Sequence, residues 1–249
     1  MIRFIIVIIA VIIDLFLMIP GGLVIFVTGL FSKSGKDKVV KAISDFVFQE
    51  INFLSGVKVT YIGLEKLPKD TAVLYVANHL SFFDVFLVTP KLPSITGFVA
   101  KKSFGKVPFL AALMRLTHSL LLDREDIKQG LKVILEAIEL VKSGISIFIF
   151  PEGTRSKTGK MAEFKEGSMK VSTKSGCPIV PIAISNTSAV WEDHFPKIKP
   201  EKVIIEILDP VNPADFDRDG QKHLGKYCHD LIENAQQKNN LAICQNGVN

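Results

Sequence analysis

His79 and Asp84 stand five positions apart in Asn78-His79-Leu80-Ser81-Phe82-Phe83-Asp84, directly after an apolar run that reads as a strand. A carboxylate at that distance, at the start of a helical pattern, can accept the imidazole Nδ1 proton and fix the tautomer. Nε2 is then left to take a proton from a hydroxyl. The same spacing also suits a helix N-cap beside a hydrogen-bonded histidine, so the pair alone leaves both readings open. A second strand exit reads Ile149-Phe150-Pro151-Glu152-Gly153-Thr154-Arg155-Ser156. Its sharp turn places Glu152 and Arg155 at a strand end, with the Thr154 and Ser156 hydroxyls beside them. A guanidinium in a loop with free backbone N–H groups makes a phosphate site; a surface Arg–Glu pair is the plainer alternative. A third exit, Leu121-Leu122-Asp123-Arg124, ends another apolar strand in a cation. The three exits together deliver one base, one acid and two arginines. No second histidine or carboxylate cluster completes a metal ligand set. Ser81 lacks a surrounding G-x-S-x-G and is expected to structure its loop rather than act as a nucleophile.

Residues so placed need strands that end together. Strand patterns cover residues 57–62, 72–77, 97–100, 119–122, 145–150, 179–184 and 203–208. Helical patterns lie between several of them, at 83–88, 104–116, 127–142 and 167–174. Strands alternating with helices predict an α/β fold: a mostly parallel sheet of about seven strands flanked by helices. In such sheets ligands gather beyond the carboxyl ends of strands, where the three exits lie. No internal repeat is visible, and the chain after Pro213 reads as a polar helix ending in a frayed terminus.

The 249 residues suffice for one domain with a full core, yet 48% are apolar while 22% are charged and the net charge is +5. The mean hydropathy of +0.32 is high for a soluble chain with that many charges. Disorder is excluded by the abundance of aliphatic residues. Cys177, Cys228 and Cys244 form no CxxC pair and fit a reducing compartment. The apolar excess concentrates in residues 1–31. A cleaved signal peptide is rejected there, since the run continues past Pro20-Gly21-Gly22 and shows no A-x-A site. The sixteen residues 4–19 contain Asp14 and would span only about 24 Å as a helix. A membrane-embedded two-helix hairpin broken at Pro20-Gly21-Gly22 is therefore favoured over one kinked span. Lys33, Lys36, Lys38 and Lys41 follow, expected to face anionic lipid and keep the remaining chain cytoplasmic. Residues 32–56 then read as a basic amphipathic helix, and 57–249 as the domain that carries the chemistry.

These residues resemble the glycerophospholipid acyltransferases, in particular the bacterial 1-acyl-glycerol-3-phosphate acyltransferase group. Residues 78–84 look like that family's N-H-x-x-x-x-D block and Asp123-Arg124 like its second block. Phe150 to Ser156 matches F-P-E-G-T-R-S, and Val180-Pro181-Ile182-Ala183 resembles the fourth block. The Lys101-Lys102 pair and Phe164-Lys165-Glu166-Gly167 also fall where the family has them. All four blocks occur in order over residues 57–208. Two departures stand out: Ser103 occupies a position where relatives often carry an acid, and Thr117-His118 fills a stretch that is usually small and glycine-containing. His118 is read as a core substitution, with a pocket modifier as the alternative.

The resemblance implies acyl transfer from a thioester, acyl carrier protein or coenzyme A, to the sn-2 hydroxyl of lysophosphatidate, without a cofactor. His79 would act as base, Asp84 as its orienter, and Glu152 would belong to the active site. Arg124, Arg155 and Lys101 would hold the acceptor phosphate, with Gly153 and Thr154 in the same loop. The implied setting is the cytoplasmic face of a bacterial inner membrane, in contact with membrane lipids, and nucleic acid is not needed to explain the charge. Rival readings are transfer to another lysolipid, thioester hydrolysis, and a silent lipid-binding module.

Overall fold

The computed structural model describes residues 1–245. Strands β1 (Lys58–Ile62), β2 (Leu74–Ala77), β3 (Thr96–Lys101), β4 (Leu120–Leu122), β5 (Ser146–Ile149), β6 (Ile179–Ser185) and β7 (Lys202–Ile207) form one sheet. Their order is β1-β7-β6-β2-β5-β3-β4. The strand positions agree with the sequence patterns to within two residues. Every neighbouring pair is parallel except β6 and β7. The five strands β6, β2, β5, β3 and β4 therefore end on one side, and β1 and β7 run against them.

The central strands read as unbroken apolar runs because both of their faces are buried. Tyr75, Ala77 and Phe148 point into one core, shared with helices α1 (Ile2–Phe31), α2 (Lys33–Ser55) and α3 (Phe83–Val88). Leu74, Val76, Ile147 and Ile149 point into the other. There they meet helices that follow α4 (Pro108–Leu116): α5 (Ile127–Lys142), α6 (Lys170–Ser175) and α7 (Leu224–Gln245). The polar pattern of α7 hides a packed stripe of Leu224, Cys228 and Ile232. The frayed terminus expected beyond it lies outside the described residues.

The N-terminal segment differs from the expected hairpin. Residues 2–31 form one continuous helix that runs through Pro20-Gly21-Gly22. Proline withdraws a single N–H from the helix ladder, whereas opening the ladder among apolar side chains would strand several more backbone groups. Gly21 faces α2, where a Cβ would stand in ordinary contact with Ile43 at 3.5 Å. The chain reverses at Ser32, whose Oγ accepts from the Gly35 N–H at 2.9 Å and caps α2. The helical pair is thus α1 with α2. At ~1.5 Å per residue α1 is about 45 Å long, more than the ~30 Å hydrocarbon core. Its outward residues, including Ile19, Leu23 and Phe26, are exposed. They make α1 a membrane-associating helix. Its inward side buries Val7, Ala10 and Ile25. Lys41, expected to face lipid, is instead largely covered and paired with Asp45 in the next turn of α2.

Candidate active site

The register brings the strand exits together. Val76 lies opposite Ile149 of β5 and Ala77 opposite Ile182 of β6, so the residues after β2 and β5 emerge side by side. Asn78 continues the ladder where β2 leaves it. Its buried amide donates to the Ile184 carbonyl and accepts from the Ile184 N–H, both at 2.8 Å. The next residue, His79, is thereby turned out of the sheet beside Phe150, on whose ring it stacks with centroids 4.0 Å apart.

Asp84 occupies the first turn of α3 and is fully buried. Its Oδ2 accepts from His79 Nδ1 at 2.7 Å, from the Leu80 N–H at 2.8 Å and from the Ser81 N–H at 2.9 Å. Its Oδ1 accepts from the Thr187 hydroxyl. A carboxylate held by three other donors leaves the imidazole one role, donation from Nδ1. His79 Nε2 has no hydrogen-bond partner among the described residues, and the side chain borders an open cavity. Ser81 is buried and its Oγ accepts from the Phe83 N–H at 2.9 Å, which is the loop-structuring role its sequence context suggests.

Glu152 is buried against the same loop and does not line the cavity. Its Oε1 accepts from the His79 backbone N–H at 2.7 Å and its Oε2 from the Ala162 N–H at 2.9 Å. Burial raises its carboxyl above the ordinary range, and those two N–H bonds offset part of the rise. Gly153 follows with φ +74°, a left-handed conformation that costs glycine nothing. The Lys165 side chain crosses it closely, with Nζ 3.1 Å from where a Cβ would stand.

His79 shares a cavity of about 790 Å³ with Lys101, Arg124, Gly153, Thr154, Arg155 and Lys165. Lys101 ends β3 and Arg124 follows β4, so neighbouring strands supply the cations in spatial order. Both arginines line this cavity, and burial, then the like charge of Arg155, depress the Arg124 guanidinium below its ordinary value. The cavity is also lined by Phe48 of α2, Val85 of α3, Phe98, and Leu113 and Met114 of α4, which add an apolar part to the charged one. Arg155 is the most constrained cation. Its Nη1 donates to Glu192 Oε1 at 2.7 Å, and the guanidinium lies 4.0 Å from the Phe82 ring centre.

Sequence reasoning did not find Thr187, Glu192 or the clamp made by Asn78. The first two lie on an irregular segment after β6 with no periodic or motif signal. Lys165 was visible only as part of a short block. His118 is largely buried, adopts φ +55° and has its Nε2 3.0 Å from Asp37 Oδ1 of α2, and it does not line the cavity. Ser103 and Thr117, the other departures, line the cavity.

Comparison with known proteins adds an independent line. The family model described as Acyltransferase matches residues 58–185. The 1-acyl-sn-glycerol-3-phosphate acyltransferase of Haemophilus influenzae is 30% identical over 190 residues, covering 72% of this chain and 75% of that protein. The coconut protein of the same description is 31% identical over 163 residues, or 65% of this chain. The chain spans only 53% of that relative and 63% of one from Limnanthes douglasii. The crystal structure of the 1-acyl-sn-glycerophosphate acyltransferase of Thermotoga maritima superposes with a TM-score of 0.79 at 27% identity, covering 95% of this chain and 97% of that one.

Proposed function

The chain belongs to the acyltransferase family, and from that premise we propose that it moves a fatty acyl group from an acyl thioester to the sn-2 hydroxyl of 1-acyl-glycerol-3-phosphate, forming phosphatidic acid. The observation that carries the reading is one cavity holding a base oriented by a buried carboxylate, cations and an apolar part. His79 Nε2 removes the hydroxyl proton as the oxygen attacks the thioester carbonyl. The tetrahedral intermediate then expels the thiolate, which takes the proton back from the imidazolium. Asp84 holds the tautomer throughout. Arg124, Arg155 and Lys101 receive the acceptor phosphate, and Gly153 and Thr154 shape the loop beneath it. Glu152 acts through the His79 backbone rather than on the acceptor.

The acyl donor is acyl carrier protein or coenzyme A carrying the thioester, and the enzyme works on the cytoplasmic face of a bacterial inner membrane. Membrane placement follows from the substrates. Extracting an acyl chain into water costs about 0.8 kcal/mol per CH₂, which a site held at the interface by α1 avoids. The test is turnover by the purified full-length protein in phospholipid vesicles, with both donors and with lysophosphatidate set against monoacylglycerol. Phosphatidate formation is expected, with kcat about 10³-fold lower in His79→Ala while the thermal melt persists. Fatty acid release without an acceptor, or substantial residual turnover in the variant, overturns the reading.

A further inference from the structure

Glu192 belongs to none of the four blocks; it lies on the irregular segment between β6 and β7, yet it joins the two loops that carry the site. Its Oε2 accepts from the Ser81 hydroxyl at 2.6 Å and its Oε1 from the Phe82 N–H at 2.9 Å, both within the loop that bears His79. The same Oε1 accepts from Arg155 Nη1 at 2.7 Å, in the loop after β5. The face of that guanidinium rests on Phe82, 4.0 Å from its ring centre, so both contacts that set the Arg155 position come from the base's side of the site. The segment bearing Glu192 is itself anchored. Thr187 donates to Asp84, and Trp191 packs against Phe82 at 5.8 Å and against Phe4 of α1 at 6.2 Å between ring centres.

We propose that Glu192 is a positioning residue that selects a phosphate-bearing acceptor by holding Arg155 at a fixed place relative to His79. This rests on the acceptor proposed above, in which the reacting hydroxyl and the phosphate are separated by two carbons and an ester oxygen. A base and a cation that serve both ends at once tolerate little relative movement, because a shifted guanidinium loses its charge-assisted hydrogen bonds to the phosphate and with them acceptor binding. Only Nη1 of the guanidinium is used by Glu192, which leaves the rest of the fork to an anion. An acceptor without a phosphate gains nothing from the arrangement.

The experiment measures kcat and KM for acceptor and donor in vesicles, using the full-length protein, Glu192→Gln, Arg155→Ala and the double variant. Glu192→Gln keeps the shape and removes the charge that holds Arg155. It is expected to raise the lysophosphatidate KM about tenfold, with donor KM, kcat and melting temperature near wild type. Preference for lysophosphatidate over monoacylglycerol falls in parallel. In the Arg155→Ala background the same substitution is expected to add no further change in acceptor KM. An unchanged KM in Glu192→Gln, a full effect persisting without Arg155, or a loss of stability with equal damage to both substrates overturns the proposal. If the wild-type protein itself makes no phosphatidate, the acceptor assignment fails and this inference with it. Wild-type turnover combined with any of the preceding outcomes overturns the role of Glu192 alone.

Discussion

Asp84 and Glu152 bring the same functional group to the same loop and do different work. Asp84 meets the imidazole itself, while Glu152 meets only the backbone of His79 and a backbone N–H across the loop. The difference has a consequence for pH. The Glu152 carboxyl is raised above its ordinary value of 4.5, chiefly by burial. Folding therefore takes up a proton between that value and the raised one, and stability declines as pH increases through this window. Glu152→Gln is expected to flatten that part of the curve of melting temperature against pH while keeping an acceptor for one of the two N–H groups. A variant whose curve parallels the wild type across the same window would contradict the assignment. Residue types offered the base and the cations as one reading among others, and the coincidence of three strand exits together with the family resemblance favoured it. The pairing of Asp84 with the imidazole was legible from their spacing, but the partners of Glu152 were not, because one of them, the His79 N–H, lies 73 positions away.

Among the elements, the exits of β2, β5, β3 and β4 succeed because the strands are parallel neighbours, and the apolar runs made that expectation sound. The helical pair was harder to read. Pro20-Gly21-Gly22 carries the residues of a break, but α1 continues through it and the reversal falls at Ser32. The Asp37–His118 pair then ties α2 to the turn before β4. His118 sits in a left-handed conformation costing about 1–2 kcal/mol for a residue with a Cβ. The hydrogen bond to Asp37 returns about 1 kcal/mol. His118→Gly removes both terms and is expected to leave the melting temperature nearly unchanged. Asp37→Ala removes only the favourable one and should lower it by about 2–4 °C. Thermal unfolding in detergent measures both, and equal losses in the two variants would show that the backbone strain is unimportant.

At the scale of the molecule, α1 is the membrane-associating helix, and in the proposed function it holds the cavity at a bilayer. Ile19, Leu23 and Phe26 point away from the domain, so replacing all three by lysine should leave the packing of Val7, Ala10 and Ile25 in place. Each lysine costs about 2.5–3.5 kcal/mol in the centre of a bilayer. Vesicle recovery in a flotation assay is expected to fall sharply, while kcat with a short-chain, water-soluble acceptor stays within about twofold; full recovery would remove α1 from this role. The +5 charge of the chain divides in the same spirit, with part of it lining the cavity and part on α2, although Lys41 is occupied within its own helix. By itself, the sequence determined the apolar N-terminal segment, the buried strands and the chemical identity of the groups at their ends, because each is a property of neighbouring residues. Only the tertiary structure decided that Glu192 would meet Arg155 and Ser81, that Asn78 would clamp Ile184, and that His118 would reach Asp37. Those partners are 37 to 111 positions apart, and their meeting is fixed by strand order and packing, which no local pattern encodes.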